Sequence, residues 1–230
     1  MSHEDLLSPA AMERLEELLN SDVYRENLDF WERAWAPVKS AYTQLPDLSY
    51  LPSIPENLKK RSAKNILDLG CGTGWLSVYL ARQGFQVTGL DISVHAVKLA
   101  REWATREDLD IHFDVGDIAD MPYPDGAFDA VVANSIFEHF PMDVAEITMK
   151  RLKHILTPGG VFIGCFDKVG GGPGEYFELA DKTHVYTDKH RKGMMLRYYK
   201  NSELNQILGG YKVEVMDEMD TGTRFVVAYS

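Results

Sequence analysis

The amino-acid sequence predicts an α/β fold: a doubly wound, mostly parallel sheet with helices on both faces. Two observations predict it. Between Lys64 and Gly164, short apolar runs alternate with amphipathic helical stretches, which indicates parallel strands joined by right-handed crossovers. The first apolar run leads into a turn with glycine at positions 70, 72 and 74, and ligands of doubly wound folds bind at such turns. A chain of 230 residues, 45% of them hydrophobic, can bury one core of this kind.

The N-terminal region, residues 1–60, predicts two helices and a proline-rich linker. Ser8 followed by Pro9 is a typical helix start. A second helical pattern begins near Asp22 and ends before Pro37. The next stretch, TQLPDLSYLPSIPEN, has three prolines in fifteen residues and predicts a loop. We expect this region to form part of a cap over the ligand site.

The alternating pattern of the predicted sheet occupies residues 61–167. The runs NILDL, FQVTGLD, DIHFDVGD, AFDAVVANS and VFIGCF are short and largely apolar, and they predict five strands. One helix is expected between the glycine turn and Gly84, and another after Ser93 as its N-cap. A third helix is expected from Pro141 to the residue before Pro158.

The C-terminal region, residues 201–230, predicts a capped helix and then two β-rich runs around Thr221-Gly222. Such an arrangement is typical of an antiparallel hairpin. Residues 168–200 lie between the core and this tail and fit neither pattern, so we interpret them as an insertion.

Composition excludes several classes of partner and compartment. The formal net charge of -11 repels phosphate backbones, so no nucleic-acid partner is expected. The two cysteines, Cys71 and Cys165, are far apart and form no CxxC pair, which favours a reducing compartment. The sequence shows neither a signal-peptide pattern nor a run of 18 apolar residues. We therefore expect a cytoplasmic protein without a membrane partner.

The glycine turn distinguishes three classes of ligand site. A P-loop requires GxxxxGK[ST], which the turn lacks. A dinucleotide site requires GxGxxG, but Trp75 stands where the third glycine should be, and its ring would crowd the helix against the strand. The remaining pattern, [D/E]xGxGxG, is matched in full by Asp68, Gly70, Gly72 and Gly74.

This pattern resembles motif I of the class I S-adenosylmethionine-dependent methyltransferases, and the chain looks like a small-molecule, methyltransferase type 11-like member. The resemblance covers residues 64–164 and the tail, including the PGG turn before the fifth strand. It implies a seven-stranded sheet of order 3-2-1-4-5-7-6, with the last strand antiparallel. It also implies S-adenosylmethionine as cofactor and S-adenosylhomocysteine as product.

The resemblance further implies a cofactor site at the glycine loop and the ends of the next three strands. The ammonium group of the cofactor fits the carboxylate of Asp68, Asp91 would bind the ribose hydroxyls, and Asp117 would face the adenine amino group. The complete expected set is Asp68, Gly70, Cys71, Gly72, Gly74, Asp91, Ile92, Asp117, Ile118, Asn134 and Ser135. The nearby acids at 114, 117 and 120 lack the spacing and closing Glu of an EF-hand loop, so no metal is expected.

Two histidines are candidates for a catalytic base, which is needed only when the acceptor carries a proton. His139 follows the fourth strand, near the reactive end of the expected cofactor, and histidine titrates near neutrality. His184 lies in the insertion and is the second candidate.

The insertion, residues 168–200, is locally basic and aromatic, and we expect it to form a substrate lid. Trp31 and Trp35 of the second helix would complete this lid, together with Arg197 and Tyr198. This hypothesis predicts a small, partly apolar substrate, which in one version carries a negative charge.

Several functions remain open at this point. The leading prediction is methyl transfer to a small-molecule acceptor, with a protein acceptor as the alternative. A non-catalytic module that binds S-adenosylmethionine and regulates a partner is a third reading. Trp75 disfavours a nicotinamide-dependent oxidoreductase, and NSIF in place of [DNS]PP[YFW] disfavours adenine methylation in DNA. Oxygen, nitrogen, sulfur and carbon acceptors share this fold.

Overall fold

The computed structural model describes residues 8–41, 43–169 and 173–230. For Ala11 it describes the backbone but not the side chain. The described residues form seven helices: α1 (Pro9–Leu19), α2 (Asp22–Trp35), α3 (Ser53–Lys60), α4 (Trp75–Ala81), α5 (Val94–Arg106), α6 (Met142–Ile155) and α7 (Asn201–Ile207). They also form ten strands: β1 (Asn65–Leu69), β2 (Gln86–Asp91), β3 (Ile111–Val115), β4 (Phe128–Asn134), β5 (Leu156–Phe166), β6 (Tyr176–Glu178), β7 (His184–Tyr186), β8 (Met195–Leu196), β9 (Lys212–Glu218) and β10 (Arg224–Tyr229).

The main sheet has seven strands in the order β3-β2-β1-β4-β5-β10-β9. Strands β1 to β5 pair in parallel, and β10 runs antiparallel to both β5 and β9. The predicted sheet order is therefore confirmed, with β9 and β10 as the sixth and seventh strands. The hairpin expected around Thr221-Gly222 joins them.

Helices cover both faces of this sheet because successive side chains of a strand point to opposite faces. Leu67 of β1 packs in the cluster that contains α6, whereas Ile66 packs with residues of α3 and α4. Both side chains are fully buried. The glycine loop after β1 is consequently held between two packed layers.

The proline-rich stretch is helical in its last part, so the prediction of a loop there was wrong. Helix α3 begins at Ser53 and includes Pro55. Proline is tolerated in the first turn of a helix, where its missing N–H would have no intrahelical partner. Ile54 and Leu58 are fully buried against the sheet, and this burial stabilises a helix that the proline count had hidden.

The insertion contains a second sheet that the sequence did not predict. Strands β6, β7 and β8 form a small antiparallel sheet in that order. Among the described residues, no helix has both the length and the apolar character required to cross a membrane.

Candidate cofactor site and active site

The loop after β1 has a backbone that requires its three glycines. Gly70, Gly72 and Gly74 have φ values of 73°, 52° and 86°, in the left-handed region that side chains disfavour. Space is also limiting, because a Cβ atom at Gly70 would lie 2.6 Å from the side chain of Ile136. At Gly74 it would lie 2.9 Å from Ala100. The loop thus brings bare backbone to the carboxyl end of β1.

Asp91, the last residue of β2, holds this loop in place. One oxygen of its carboxylate accepts from the N–H of Gly72 at 2.8 Å, and the other accepts from the N–H of Ser93 at 2.9 Å. Burial raises the pKa of Asp91, and both hydrogen bonds oppose this rise. Each carboxylate oxygen can accept further hydrogen bonds, so Asp91 can also bind hydroxyl groups of a ligand in the adjoining cavity.

Asp68 lies beneath the loop and does not line the cavity. Its carboxyl is buried and accepts from the hydroxyl of Ser77 on α4 at 2.5 Å. Burial raises the pKa of Asp68 to about 7. Asp68 thus makes a bracing contact between β1 and α4, and its expected role toward a ligand ammonium stays a prediction. Gly74 is likewise outside the cavity wall.

Asp117 follows β3 and faces the same cavity. Its side chain accepts from the N–H of Ala119 at 2.9 Å, and both of its oxygens lie 2.9 Å from the hydroxyl of Tyr24. Burial raises the pKa of Tyr24 well above its usual value, so the phenol stays protonated and donates. Tyr24 is on α2, 93 positions away in the chain, and no local pattern in the sequence pointed to this contact.

These elements surround a cavity of about 220 Å³ at the carboxyl ends of the central strands. Of the residues predicted from the sequence, those in its wall are Trp31, Trp35, Gly70, Cys71, Gly72, Asp91, Ile92, Asp117, Ile118, Asn134, Ser135 and His139. The wall also includes five residues that sequence reasoning missed: Leu28, Thr73, Trp75, Ile136 and Phe140. Among the described residues, the wall contains no lysine or arginine.

Helix α2 covers this cavity. Trp31 and Trp35 lie one turn apart on it, and Trp35 rests on the glycine loop, where a Cβ atom at Gly72 would lie 3.0 Å from the indole. Glu32, between them, accepts from the hydroxyl of Ser93 at 2.6 Å. The tryptophans that the sequence suggested as part of a lid are thus part of the cavity wall.

His139 is oriented by the strand β8. Its Nδ1 lies 3.2 Å from the carbonyl oxygen of Met195. A carbonyl only accepts, so Nδ1 carries the hydrogen and Nε2 keeps a free lone pair. Burial lowers the pKa of His139 to about 4, and the imidazole is neutral at pH 7. Its ring packs edge-to-face with Trp31 at a centroid distance of 4.5 Å.

His184 does not reach the cavity, which corrects its candidacy as a base. Its ring stacks on Tyr176 at 4.0 Å, and its Nε2 lies 3.3 Å from Glu178. The antiparallel pairing of β6 with β7 fixes these neighbours on the small sheet.

Arg197 and Tyr198 also lie away from the cavity, so the expected substrate contacts of both need correction. Arg197 is buried and pairs with Glu203 at 2.5 Å and Asp181 at 3.3 Å. Tyr198 is half exposed and accepts from Arg224 at 3.2 Å. The described part of the insertion adds no residue to the cavity wall. Its backbone instead supports the turn after β4, where the N–H of Arg197 donates to the carbonyl of Glu138 at 2.7 Å.

Two further buried groups border this turn. The hydroxyl of Tyr50 donates to the side-chain oxygen of Asn134 at 2.9 Å. Glu138 is fully buried and accepts from the N–H of Asp167. Burial raises the pKa of Glu138 to about 8, so this carboxyl is largely protonated at pH 7. Neither group was singled out from the sequence, because both partners come from distant segments.

A cluster of three or more metal-ligating side chains does not occur within residues 8–41, 43–169 and 173–230.

Comparison with known proteins gives matches concentrated on this core. Residues 66–160 match the family model described as a methyltransferase domain. Ajmaline N-methyltransferase of Rauvolfia serpentina is 42% identical over 112 residues, covering 47% of this chain and 38% of that protein. Ubiquinone biosynthesis O-methyltransferase of Xanthomonas oryzae pv. oryzae is 31% identical over 149 residues, covering 60% of this chain and 62% of that protein. The match thus spans less than two thirds of either relative.

Solved structures share the fold at low sequence identity. A protein of Pyrococcus horikoshii OT3 has a TM-score of 0.69 at 23% identity, covering 85% of this chain and 98% of that chain. Magnesium protoporphyrin IX methyltransferase of Synechocystis PCC 6803, solved with bound SAH, has a TM-score of 0.58 at 20% identity, covering 95% and 99% of the two chains. At these identities the likeness shows the architecture, and function has to be argued from the site.

Proposed function

Residues 66–160 belong to the class I S-adenosylmethionine-dependent methyltransferase family, and from this premise we propose that the protein transfers a methyl group from S-adenosylmethionine to a small-molecule acceptor. The observation that carries the proposal is that the residues expected to bind the cofactor and the histidine expected to act as a base line the same cavity. The glycine loop, Asp91 and Asp117 lie in its wall, and so does His139. A cofactor and an acceptor can therefore meet in the same enclosed space.

The residues in the wall fit this cofactor. The bare backbone at Gly70 and Gly72 leaves room for a close approach. The hydroxyl of Thr73 is buried in the wall and has no partner among the described residues, so a polar ligand group can complete its hydrogen bonding. Asp91 and Asp117 provide acceptors for hydroxyl and amino groups.

The expected roles of the side chains follow from this placement. When bound, the cofactor supplies a methyl group on a positively charged sulfonium. The cavity would hold the acceptor in line with this group, and alignment alone can supply much of the rate enhancement. Trp31 and Trp35 on α2 would exclude water. His139, neutral and with its Nε2 lone pair free, would accept a proton from the acceptor.

An enclosed cavity under α2 favours a small acceptor over a side chain of a folded protein. The names of the relatives, an N-methyltransferase and an O-methyltransferase, also support a small molecule.

Calorimetric titration with S-adenosylmethionine and S-adenosylhomocysteine tests the proposal, with NAD as the negative ligand. We expect Asp91→Asn to weaken binding of both cofactors at least tenfold, about 1.4 kcal/mol, because the neutral amide is a poorer acceptor for ribose hydroxyls. Asp120→Asn is the matched control, since this exposed acid lies on the same side of the sheet without lining the cavity. Absence of cofactor binding by the folded protein would refute the proposal, whereas binding without turnover on any acceptor would favour a regulatory module.

A further inference from the structure

Trp31 carries a polar group that the fold leaves without a partner. Its ring lines the cavity, and its Nε1 is buried with no hydrogen-bond partner among the described residues. An unpaired buried N–H is costly, and in native proteins such a donor is usually satisfied by water or a ligand.

His139 offers the complementary group next to this donor. The two rings are in contact, with centroids 4.5 Å apart. The Nδ1–H group of His139 is engaged by the carbonyl of Met195, which leaves Nε2 as an acceptor. The donor of Trp31 and the acceptor of His139 thus belong to neighbouring rings in the wall of one cavity.

Three further residues of the cavity wall are apolar: Leu28 on α2, and Ile136 and Phe140 on the turn after β4. No lysine or arginine lines the cavity among the described residues, whereas the acids Asp91 and Asp117 do. An anionic acceptor would therefore lose its hydration in this cavity without a protein cation to pair with. The wall gives no support to the anionic version of the substrate hypothesis.

On the basis of the proposed methyl transfer, we propose that Trp31 and His139 form an acceptor subsite for an uncharged, largely apolar molecule with a hydroxyl group, which is methylated on oxygen. A hydroxyl oxygen has one hydrogen and two lone pairs. It can donate to Nε2 of His139 and accept from Nε1–H of Trp31, and one lone pair remains for attack. An amine nitrogen has a single lone pair, and a hydrogen bond from Trp31 would block it.

The transfer balances with these residues alone and the two substrates. The free lone pair of the acceptor oxygen forms a bond to the methyl carbon, and the carbon–sulfur bonding pair stays on sulfur, giving the thioether product. The hydroxyl proton passes to Nε2 of His139 and then to solvent. Methylation makes the oxygen strongly acidic, so a weakly basic imidazole is sufficient to take the proton.

The test compares acceptors that share a skeleton and differ in one group. A panel of bicyclic aromatic molecules would include 2-naphthol, 2-naphthylamine, 2-naphthoate and unsubstituted naphthalene. Binding is measured by calorimetry on the full chain saturated with S-adenosylhomocysteine, and methylated products are measured separately by mass spectrometry. We expect 2-naphthol to bind at least tenfold more tightly than 2-naphthoate, with the methyl ether as the main product.

Trp31→Phe removes the N–H group and keeps an aromatic ring. We expect it to weaken binding of 2-naphthol about tenfold and to leave binding of naphthalene unchanged, a pattern that a merely structural role would not produce. Trp103→Phe is the matched control, because Trp103 is buried on α5 outside the cavity. His139→Gln is expected to lower kcat for 2-naphthol more than it raises KM.

The outcomes separate this inference from the proposed function. If S-adenosylhomocysteine binds but the amine or the carboxylate is preferred, or if Trp31→Phe weakens naphthol and naphthalene equally, the acceptor subsite is refuted and the methyltransferase proposal stands. If S-adenosylhomocysteine does not bind to the folded protein, both proposals fail together. Binding of the hydroxyl compound without any methyl ether from S-adenosylmethionine would also refute the subsite.

Discussion

A carboxyl group at position 68 is costly to ionise where the fold places it. Asp68 is buried beneath the glycine loop, with the hydroxyl of Ser77 as its hydrogen-bond donor. Burial disfavours the charged form and raises the pKa of Asp68 to about 7. The negative charge of Asp91 acts in the same direction. Asp68 therefore contributes to the stability of the fold in a way that depends on pH.

The sign of this dependence follows from the raised pKa. The folded state binds the proton more tightly than the unfolded chain, so the associated stability is complete below the unfolded pKa of about 3.9 and is lost as the pH rises through about 7. Asp68→Asn keeps an acceptor for Ser77 and cannot ionise. We therefore compare the unfolding free energy of the variant with that of the natural protein at each pH. The difference, variant minus natural protein, should increase by at least about 1 kcal/mol between pH 4 and pH 7 and then level off.

Urea unfolding at a series of pH values measures this difference directly. In a chain of this size, 1 kcal/mol corresponds to roughly 2–4 °C in Tm, so thermal unfolding gives an independent reading. Asp120→Asn serves as the exposed control and should show no such slope. Stability curves for Asp68→Asn and the natural protein that run parallel across this range would contradict the burial argument.

At the level of elements, α2 connects Asp117 in the cavity wall to the insertion. Tyr24 contacts Asp117 on one side, and the side-chain amide of Asn27 donates to the carbonyl of Gly193 at 3.1 Å on the other. Gly193 packs closely on α2, since a Cβ atom there would lie 2.7 Å from the backbone carbon of Glu26. The insertion therefore positions the helix that covers the cavity.

Substitution of Gly193 tests this connection. Gly193 and Gly84 have the same φ of 89°, but a Cβ atom at Gly84 would meet nothing within 4 Å. Gly84→Ala should cost about 1–2 kcal/mol of stability from backbone strain alone. Gly193→Ala should cost more and should also speed amide hydrogen exchange in α2, because the added methyl group pushes the helix away from the insertion. Equal costs, with exchange in α2 unchanged, would show that the contact does not hold the helix.

The sequence predicted those residues of the candidate site that come directly after a strand of the parallel sheet. Asp91 and Asp117 could be predicted because each closely follows a recognisable strand, and parallel strands bring such residues to one edge of the sheet. The contact of Tyr24 with Asp117 could not be predicted, because it depends on how α2 docks across 93 positions of sequence. Arg197 was misassigned for a related reason: its partners Asp181 and Glu203 neutralise it only after the insertion has folded.

At the scale of the whole molecule, the cavity joins regions that are far apart in the chain. Its wall includes α2, the glycine loop and the turn after β4, and the insertion supports both α2 and that turn. A ligand that fills the cavity would contact α2 as well as the glycine loop and the turn after β4. Its binding energy should therefore stabilise the N-terminal helices together with the sheet, as one cooperative unit.

Ligand-linked unfolding measures this coupling. At a concentration of S-adenosylhomocysteine one hundred times its Kd, the stability of the folded state should increase by about 2.7 kcal/mol, or roughly 5–10 °C in Tm for a chain of this length. Since the proposed cofactor site lies between α2 and the core, we expect a single calorimetric transition that shifts as a whole. Amide exchange in Asp22–Trp35 should slow together with that of β1 and β2. The variant Asp91→Asn should show a much smaller shift at the same ligand concentration. If the ligand slows amide exchange in β1 and β2 but leaves exchange in α2 unchanged, the helix opens independently of the sheet. Trp31 would then no longer be held beside His139 when the acceptor binds.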